Sequence, residues 1–195
     1  MPEPLAASHA EALRDVARDP DLWRWTLSRV RTPADLAACI EAALVAQTAG
    51  TALPLAIVAG GRVAGTTCLA RADLPGHRVE IGWTFVGRPG QRLAVNTEAK
   101  RLLLGHALDA PRVEFRTDAR NAVSRAAIAR LGATEDGTLR RHMTRADGTP
   151  RDTVAVSVVA AEWPDVAARR AERLNGCRTH LNRARRRRRP LPHPA

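Results

Sequence analysis

A strand-like run near the middle of the chain leads through a short loop into a segment that could bind a phosphate group. Residues 79–86 have the pattern of a strand, and residues 91–100 have that of a helix start after a Gly/Pro loop. A helix start leaves about four backbone N–H groups without intrahelical acceptors, and the helix dipole favours negative charge there. The junction is therefore predicted to bind a phosphate or pyrophosphate group.

The strand that leads into this loop carries a carboxylate that could act as a general base. Glu80 lies near the start of that strand, and a positioned carboxylate can take a proton from a reacting group directly or through a water. A solvated or ion-paired strand residue is the alternative interpretation of Glu80. Asp152 and His142 are weaker candidates for the same role.

The order of the elements predicts an α/β (α+β) fold with a mixed, mostly antiparallel central sheet and helices on both faces. Helical periodicity and cap residues, among them Thr32-Pro33 at a helix start, predict five helices. They are expected at residues 5–18, 33–48, 96–108, 122–131 and 162–174, with Asn96 or Thr97 as the cap of the third. Alternation and turn residues predict six strands. They are expected at residues 53–59, 62–71, 77–86, 112–117, 133–143 and 153–160.

The positive charge is concentrated in a C-terminal tail. The 195-residue chain has a net charge of +11, and ten arginines with a single glutamate fall between Arg169 and the end. We expect one domain over residues 1–174 and a disordered Arg/Pro-rich tail over residues 175–195. The tail could bind RNA or another polyanion by counterion release. It has no aromatic residues for base stacking, so a solvated extension without a role is the alternative.

The cysteines and the hydrophobic segments bear on the compartment. Cys39, Cys68 and Cys177 are odd in number and widely spaced, which favours a reducing cytoplasm over a disulfide framework. No secretory signal and no membrane span are expected. Cys177 and His180 offer only two ligands, so no metal site is predicted.

Three motifs occur in the order and spacing of a known family. The loop has the pattern Val86-x-x-x-x-Gln91-x-x-Ala94-x-Asn96, continued by Thr97-Glu98-Ala99. The second motif is Asn121-x-x-Ser124-x-x-Ala127-x-x-x-Leu131-Gly132-Ala133, which leads to Gly137-x-x-Arg140. The third is Arg151-Asp152-Thr153 at the start of the last strand. Together they resemble the GCN5-related N-acetyltransferase (GNAT) superfamily, and in particular its RimJ/RimL-type branch.

The resemblance implies an acetyl-CoA site and a set of functional residues. The residues expected to bind the coenzyme are Val86, Gln91, Arg92, Leu93, Ala94, Val95, Asn96, Thr97, Asn121 and Ser124, with Arg88 as a further possible phosphate contact. The expected catalytic groups are the backbone N–H of Val86, which would donate to the acetyl carbonyl, Ser124 and Glu80. Since the chain contains no Tyr, protonation of the leaving thiolate is assigned to Ser124 or to water. Asn121 could instead serve as a helix N-cap, or do both. Trp83, Trp23 and Trp25 could line the acceptor pocket. Alternatively, Trp23 and Trp25 pack in the core, or one of them does so while the other faces the cleft.

The chain also departs from the family pattern. Ala94 stands where the family usually has Gly, and Asn96 stands where the family usually has Gly or Ala. Ala disfavours positive φ, whereas Asn tolerates it. The first edge strand of the family is expected to be missing or very short here, and the start could be truncated.

The predicted function is N-acetyl transfer from acetyl-CoA to a primary amine by direct attack. The amine would be a protein N-terminal α-amine or a small-molecule amine, and the protein a monomer or homodimer. Two alternatives are a non-catalytic acyl-CoA-binding regulator and an RNA- or ribosome-associated protein that acts through its Arg-rich tail.

Overall fold

The computed structural model describes residues 1–73, 77–91, 93–107 and 110–168. A seven-stranded sheet has the order β1-β2-β3-β4-β5-β7-β6. Its strands are β1 (Pro2–Pro4), β2 (Ala52–Ala59), β3 (Arg62–Asp73), β4 (Arg78–Val86), β5 (Arg112–Asp118), β6 (Thr134–Thr144) and β7 (Pro150–Val159). The helices of eight or more residues are α1 (Ala10–Ala17), α2 (Pro33–Thr48), α3 (Ala94–Ala107) and α4 (Ala122–Ala129).

Helices cover both faces of the sheet, as predicted. Ala56 packs in a core cluster with residues of α1 and α2, such as Leu13 and Ile40. The next residue of β2, Ile57, packs with Ala99 of α3 in a second cluster. Because successive strand residues point to opposite faces, α1 and α2 lie on one face and α3 lies on the other.

Local signals in the sequence account for several of these elements. Thr32 caps α2 by accepting from the N–H of Asp35, whose carboxylate accepts from the Thr32 N–H in return, and Pro33 occupies the first turn. Gly60 and Gly61, both at positive φ, form the turn between β2 and β3. This turn geometry needs residues that tolerate positive φ, which Gly does at no steric cost.

Some predicted boundaries were wrong. The helix after the loop begins at Ala94, so Asn96 and Thr97 lie inside its first turn and neither is the cap. The N-terminal helix begins as a 3-10 turn at Ala7–His9, and the last strand begins at Pro150. The edge strand, by contrast, is very short as expected, since β1 has three residues, which pair with β2.

The end of the chain is described only in part. The chain divides into two units, Met1–Ala160 and Ala161–Ala195. Of the second unit the structure describes residues 161–168, of which 163–168 are helical. The predicted boundary at residue 174 and the Arg-rich tail lie outside the described residues. No helix in the described part of the chain is long and apolar enough to cross a membrane.

The central strands β4 and β5 run parallel and pair for only three residues. Their register ends at Glu80 opposite Glu114, although β4 continues to Val86 and β5 to Asp118. The two strands therefore separate toward their C-terminal ends. Ligands in open α/β sheets bind at the carboxyl ends of strands where the topology changes, and this gap is such a place.

Candidate active site

The separated end of β4 presents backbone groups to the gap. Gly87 N–H donates to the Ala64 carbonyl, and Gly65 lies opposite Val86. Since hydrogen-bonded and non-hydrogen-bonded pairs alternate in an antiparallel ladder, Val86 falls in a non-hydrogen-bonded pair. Its N–H and C=O groups therefore point away from β3, toward the side from which β5 has separated.

The predicted phosphate loop is ordered by its own glutamine. Gln91 donates from Nε2 to the Val86 carbonyl at 2.8 Å, which holds the loop against the end of β4. A 3-10 turn over Arg88–Gly90 connects the strand to α3. Leu93 and Ala94 are exposed and Val95, Asn96 and Thr97 are half-buried, while Arg92 lies outside the described residues. The first turn of α3 thus offers free N–H groups to an anion.

The two replacements in this loop are compatible with its backbone. Ala94 and Asn96 both lie within α3, and neither is among the residues at positive φ. The positions therefore do not need the conformational freedom of Gly. The buried Oδ1 atom of Asn96 has no hydrogen-bond partner, which leaves an acceptor available beside the helix start.

Arg88, a possible phosphate contact, is instead engaged in ion pairs. Its guanidinium contacts Asp19 at 2.5 Å and Asp21 at 2.8 Å. The hydrogen bond from Arg88 lowers the pKa of Asp19 and in turn raises the pKa of Arg88. A phosphate would have to displace these carboxylates, so Arg88 ties the loop to the segment after α1.

A bulge interrupts β4 between its two ends. Trp83 has φ +48°, and the register with β3 shifts between the pairs Thr66–Phe85 and Cys68–Gly82. Such a bulge re-aims the backbone of the strand that carries it. The backbone groups of Trp83 and Thr84 therefore depart from the regular ladder beside the gap.

Glu80 lies where β4 and β5 separate, and its carboxylate extends toward the bulge. A Cβ placed on Gly82 would lie 2.9 Å from its Oε1 atom. Its Oε2 atom is buried without a hydrogen bond, with Arg116 at 3.5 Å and Arg71 at 3.7 Å as ionic neighbours. A buried acceptor without a donor is available to a substrate N–H group.

A polar pocket of about 500 Å³ opens at Glu80. Charged side chains provide most of its lining, which comprises Arg71, Ala72, Arg78, Val79, Glu80, Glu114 and Arg116. Glu114 differs from Glu80 because it accepts from Arg112 at 3.0 Å and from Arg116 at 3.2 Å. Burial alone would raise the pKa of Glu114, but these hydrogen bonds hold it below its ordinary value.

Glu80 and Val86 do not meet at one reaction centre. Val86 lies six positions beyond Glu80 along β4, which corresponds to at most about 20 Å at 3.3 Å per residue. A general base must lie within hydrogen-bond reach of the proton it takes, or one water away. The bulge at Trp83 and Thr84 lies between them, so its backbone is nearer to a group that reacts beside Glu80.

Asn121 and Ser124 lie at the start of α4, which follows β5. Asn121 is the N-cap of α4, and its Oδ1 accepts from the Ser124 N–H at 3.0 Å. The N-cap interpretation of Asn121 is therefore confirmed. Because β4 and β5 are parallel, the helices that follow them start at the same edge of the sheet, which places Ser124 beside the gap.

Asp118, at the end of β5, stabilises the turn between β5 and α4, and the sequence analysis did not identify it. Its Oδ1 accepts from the Arg120 N–H at 2.9 Å. Its Oδ2 accepts from the Nε and Nη2 atoms of Arg145 at 2.7 and 2.5 Å. Asp118 and Arg145 are both buried, so this is an interior ion pair that fixes the end of β5.

Lys100 on α3 is a second residue that sequence reasoning missed. Its Nζ atom donates to the hydroxyls of Thr67 at 2.8 Å and Thr84 at 2.5 Å. Only 5% of the residue is exposed, and burial lowers its pKa from 10.5 to about 7. The available signal was that Lys100 is the single lysine beside 30 arginines.

The tryptophans and the alternative bases occupy different environments. Trp23 packs on Phe85 with ring centroids 4.9 Å apart. The guanidinium groups of Arg24 and Arg120 each lie 4.8 Å from the centroid of the Trp25 ring, and Trp83 is exposed. His142 and Asp152 are also exposed, and Asp152 accepts from the Arg141 N–H at 2.7 Å.

Four buried side-chain atoms of the described residues have no hydrogen-bond partner. They are Glu80 Oε2, Asn96 Oδ1, Arg151 Nε and Thr153 Oγ1. They belong to β4, to the first turn of α3, and to the start of β7, which pairs with the end of β5. Glu80 Oε2 lies where β4 and β5 separate, and Asn96 Oδ1 lies in the first turn of the helix that follows β4, so two of the four are available to a polar ligand there. The other two lie on β7, on the far side of β5. The described part of the chain contains no cluster of three or more metal-ligating side chains.

Comparison with known proteins agrees with this geometry. The family profile of the acetyltransferase (GNAT) domain matches residues 3–134, and the chain therefore belongs to the GNAT acetyltransferases. Acetyl transfer from acetyl-CoA is the activity of this family. No curated protein matches the sequence.

Solved structures share the fold over most of their length. A proposed acetyltransferase from T. thermophilus is 35% identical, with a TM-score of 0.81 over 89% of this chain and 92% of that one. A GCN5-related N-acetyltransferase from Brucella melitensis is 29% identical, with a TM-score of 0.77 over 85% and 77%. RimJ of Mycobacterium smegmatis, in complex with CoA-disulfide, has the same fold at 23% identity, with a TM-score of 0.77 over 89% and 88%.

Proposed function

We propose that the protein is an N-acetyltransferase of the RimJ/RimL type that acetylates a primary amine by direct attack on acetyl-CoA. The observation that carries this proposal is the gap between β4 and β5. It combines backbone donors on β4 with a carboxylate, Glu80, whose Oε2 atom has no hydrogen-bond partner. Donors and a base on one strand are what amine acylation needs.

Each group has a distinct role in the proposed reaction. Acetyl-CoA supplies the acetyl group as a thioester. The N-terminal turn of α3 binds its phosphates, and the Val86 N–H binds its pantetheine arm. A backbone N–H of the bulge, at Trp83 or Thr84, stabilises the charge that develops on the carbonyl oxygen. Glu80 takes the proton of the attacking amine, and Ser124 or a water returns one to the thiolate.

The pocket at Glu80 is the proposed acceptor site. It lies on the face of the sheet that carries α1 and α2. Glu80 pairs with Ala70 of β3, and Ala70 points to the same face as Thr66, four residues earlier on that strand. Thr66 pairs with Ala56, which packs against α1 and α2. A protein N-terminal α-amine and a small-molecule amine both fit its open, charged lining. The cytoplasm is the proposed compartment, consistent with the free thiols of Cys39 and Cys68.

Thiol release measured with a panel of amines tests the proposed function. Peptides with different N-terminal residues and small polyamines or amino sugars are offered with acetyl-CoA, while calorimetry measures coenzyme affinity. Release above the hydrolysis rate with at least one amine is expected. Ser124→Ala should lower kcat by about 10²-fold and leave coenzyme affinity almost unchanged. Tight coenzyme binding without release on any amine would instead support a non-catalytic regulator.

The space at Gly82 provides a second test of the acceptor site. Gly82→Ala should lower kcat/KM by about 10²-fold because the new methyl group displaces the Glu80 carboxylate, and displacements near 1 Å can have effects of this size. Gly105→Ala on α3 is the matched control, since a Cβ there has no neighbour within 4 Å. It should retain activity. Equal activities of the two variants would contradict the position assigned to Glu80.

A further inference from the structure

Lys100 occupies a position that the proposed reaction does not yet use. Its ammonium group lies between the separated strands, hydrogen-bonded to Thr84 of β4 and 5.9 Å from the ring centroid of Phe115 on β5. Both of these residues lie beyond the last paired residues, Glu80 and Glu114. Lys100 therefore lies beneath the gap itself.

The hydroxyls around Lys100 form a closed network at the bulge. Thr84 donates to the Gly82 carbonyl at 3.1 Å, and its oxygen lies 2.9 Å from that of Thr67. Thr67 is on β3 at the point where the β3–β4 register shifts. The network therefore joins α3, β3 and β4 on both sides of Trp83, the residue at positive φ.

A neutral amine completes this network. A neutral lysine has two N–H donors, and the two threonine hydroxyls accept both. A third N–H, present only in the ammonium form, would face the Phe115 ring. Arginine could not take this role because it stays charged in proteins, which gives a physical reason for one lysine in a chain of arginines.

Few charged groups face Lys100. The packed elements contribute Thr67 from β3, Thr84 from β4 and Phe115 from β5, and none of these residues carries a charge. The nearest titratable group is Cys68, which follows Thr67 on β3. Burial raises the pKa of Cys68 to about 11, so this thiol stays neutral where Lys100 changes charge. Glu80 lies on the opposite face of the sheet from Lys100. Its partner on β3 is Ala70, and Ala70 points to the opposite face from Thr67, which contacts Lys100.

We propose that Lys100 is a positioning residue that fixes the β4 bulge through Thr67 and Thr84, opposite the Glu80 carboxylate. The proposal rests on the proposed function, since it assigns the bulge donor of that reaction. Lys100 does not touch the substrate. It sets the direction of the backbone N–H groups at Trp83 and Thr84, and its protonation disturbs them.

Kinetics of two variants test this role. Lys100→Met keeps the length of the side chain and removes both donors, and it should lower kcat about 10²-fold with less than about a threefold change in the KM for acetyl-CoA. Thr67→Val, on a strand that does not border the gap, should lower kcat by about tenfold. The double variant should be no worse than Lys100→Met, because the residues act as a unit. Leu104→Met, a volume-conserving core change on the same helix, is the control and should retain kcat.

Spectroscopy gives a readout that does not depend on turnover. Because the chain has a single lysine, labelling with ¹³Cε-lysine should give one side-chain signal. This signal should titrate with a midpoint near 7, and the backbone amide signals of Trp83 and Thr84 should shift with the same midpoint. Both shifts should be absent in Lys100→Met, and Thr67→Val should move the midpoint.

The outcomes separate the two proposals. A lysine midpoint near 10.5, amide signals at Trp83 and Thr84 that do not follow the lysine, or unchanged kcat in Lys100→Met would each overturn the positioning role. If Lys100→Met does not fold, the kinetics of Thr67→Val and the titration of the wild-type protein decide whether Lys100 has the positioning role. If the wild type acetylates no amine, the proposed function fails, whereas the spectra still decide whether Lys100 holds the bulge.

Discussion

Replacing Glu80 by Gln should lower kcat/KM by about 10²–10⁴-fold, the range of a lost general base. The substitution preserves size and hydrogen-bonding capacity but removes the negative charge that accepts the amine proton. The pH profile of the rate should therefore differ between the wild type and Glu80→Gln. Initial rates with the best amine, measured across neutral pH, provide the comparison.

Glu114→Gln is the matched control for this experiment. Glu114 lies directly opposite Glu80 in the register of β4 and β5 and lines the same pocket. Both of its oxygens accept from arginines, so it has no free position for the amine proton. Its replacement should keep activity within a few-fold and keep the pH profile of the wild type. Comparable losses in the two variants, or an unchanged pH profile in Glu80→Gln, would assign the base elsewhere.

The helices and hairpins of this chain could be predicted because their signals are local. The Thr32 capping box and the Gly60-Gly61 turn each depend on a few adjacent residues, and α2 and the β2–β3 turn have the predicted bounds to within one residue. The predicted cap of α3, Asn96 or Thr97, was wrong because Ala94 is as good a helix former as any residue. The helix therefore extends past Asn96 toward the loop.

The centre of the site could not be predicted in the same way, because it depends on how strands pair. Nothing in residues 79–86 signals that Trp83 takes positive φ, which Trp rarely does. The bulge exists because β4 pairs with β3 on one side and leaves β5 on the other. Without the bulge, Val86 was the natural choice of donor, although it lies six positions beyond Glu80.

Lys100 shows the same limit in another form. Helical periodicity places it beside Ala99, Leu103 and Leu104, which are buried, but a lysine at such a position is ordinarily expected to be exposed. Its partners, Thr67 and Thr84, are 33 and 16 residues away in sequence. Sequence composition showed that Lys100 is unique in the chain, and only the fold shows why a group that can lose its proton is useful there.

Asp118→Ala should lower the free energy of unfolding by about 3–5 kcal/mol, as expected when one member of a buried ion pair is removed. The loss leaves Arg145 buried without a carboxylate. Arg151 is buried nearby, where burial lowers its pKa, the Asp118 charge raises it and the Arg145 charge lowers it further. Removing Asp118 would therefore leave two buried guanidinium groups that repel one another. Urea denaturation should show the loss, and Tm should fall by about 10 °C.

The exposed pair between Arg125 and Glu135 provides the contrast. Its side chains are 44% and 47% exposed, against 5% and 0% for Arg145 and Asp118. Glu135→Ala should change stability by less than about 1 kcal/mol because solvent screens the pair. Similar losses in both variants would contradict the large contribution assigned to the buried pair. The loss in Asp118→Ala has two causes, the hydrogen bond to the turn and the charge. Asp118→Asn separates these causes, since it keeps the acceptor for the Arg120 N–H and removes the charge that Arg145 and Arg151 need.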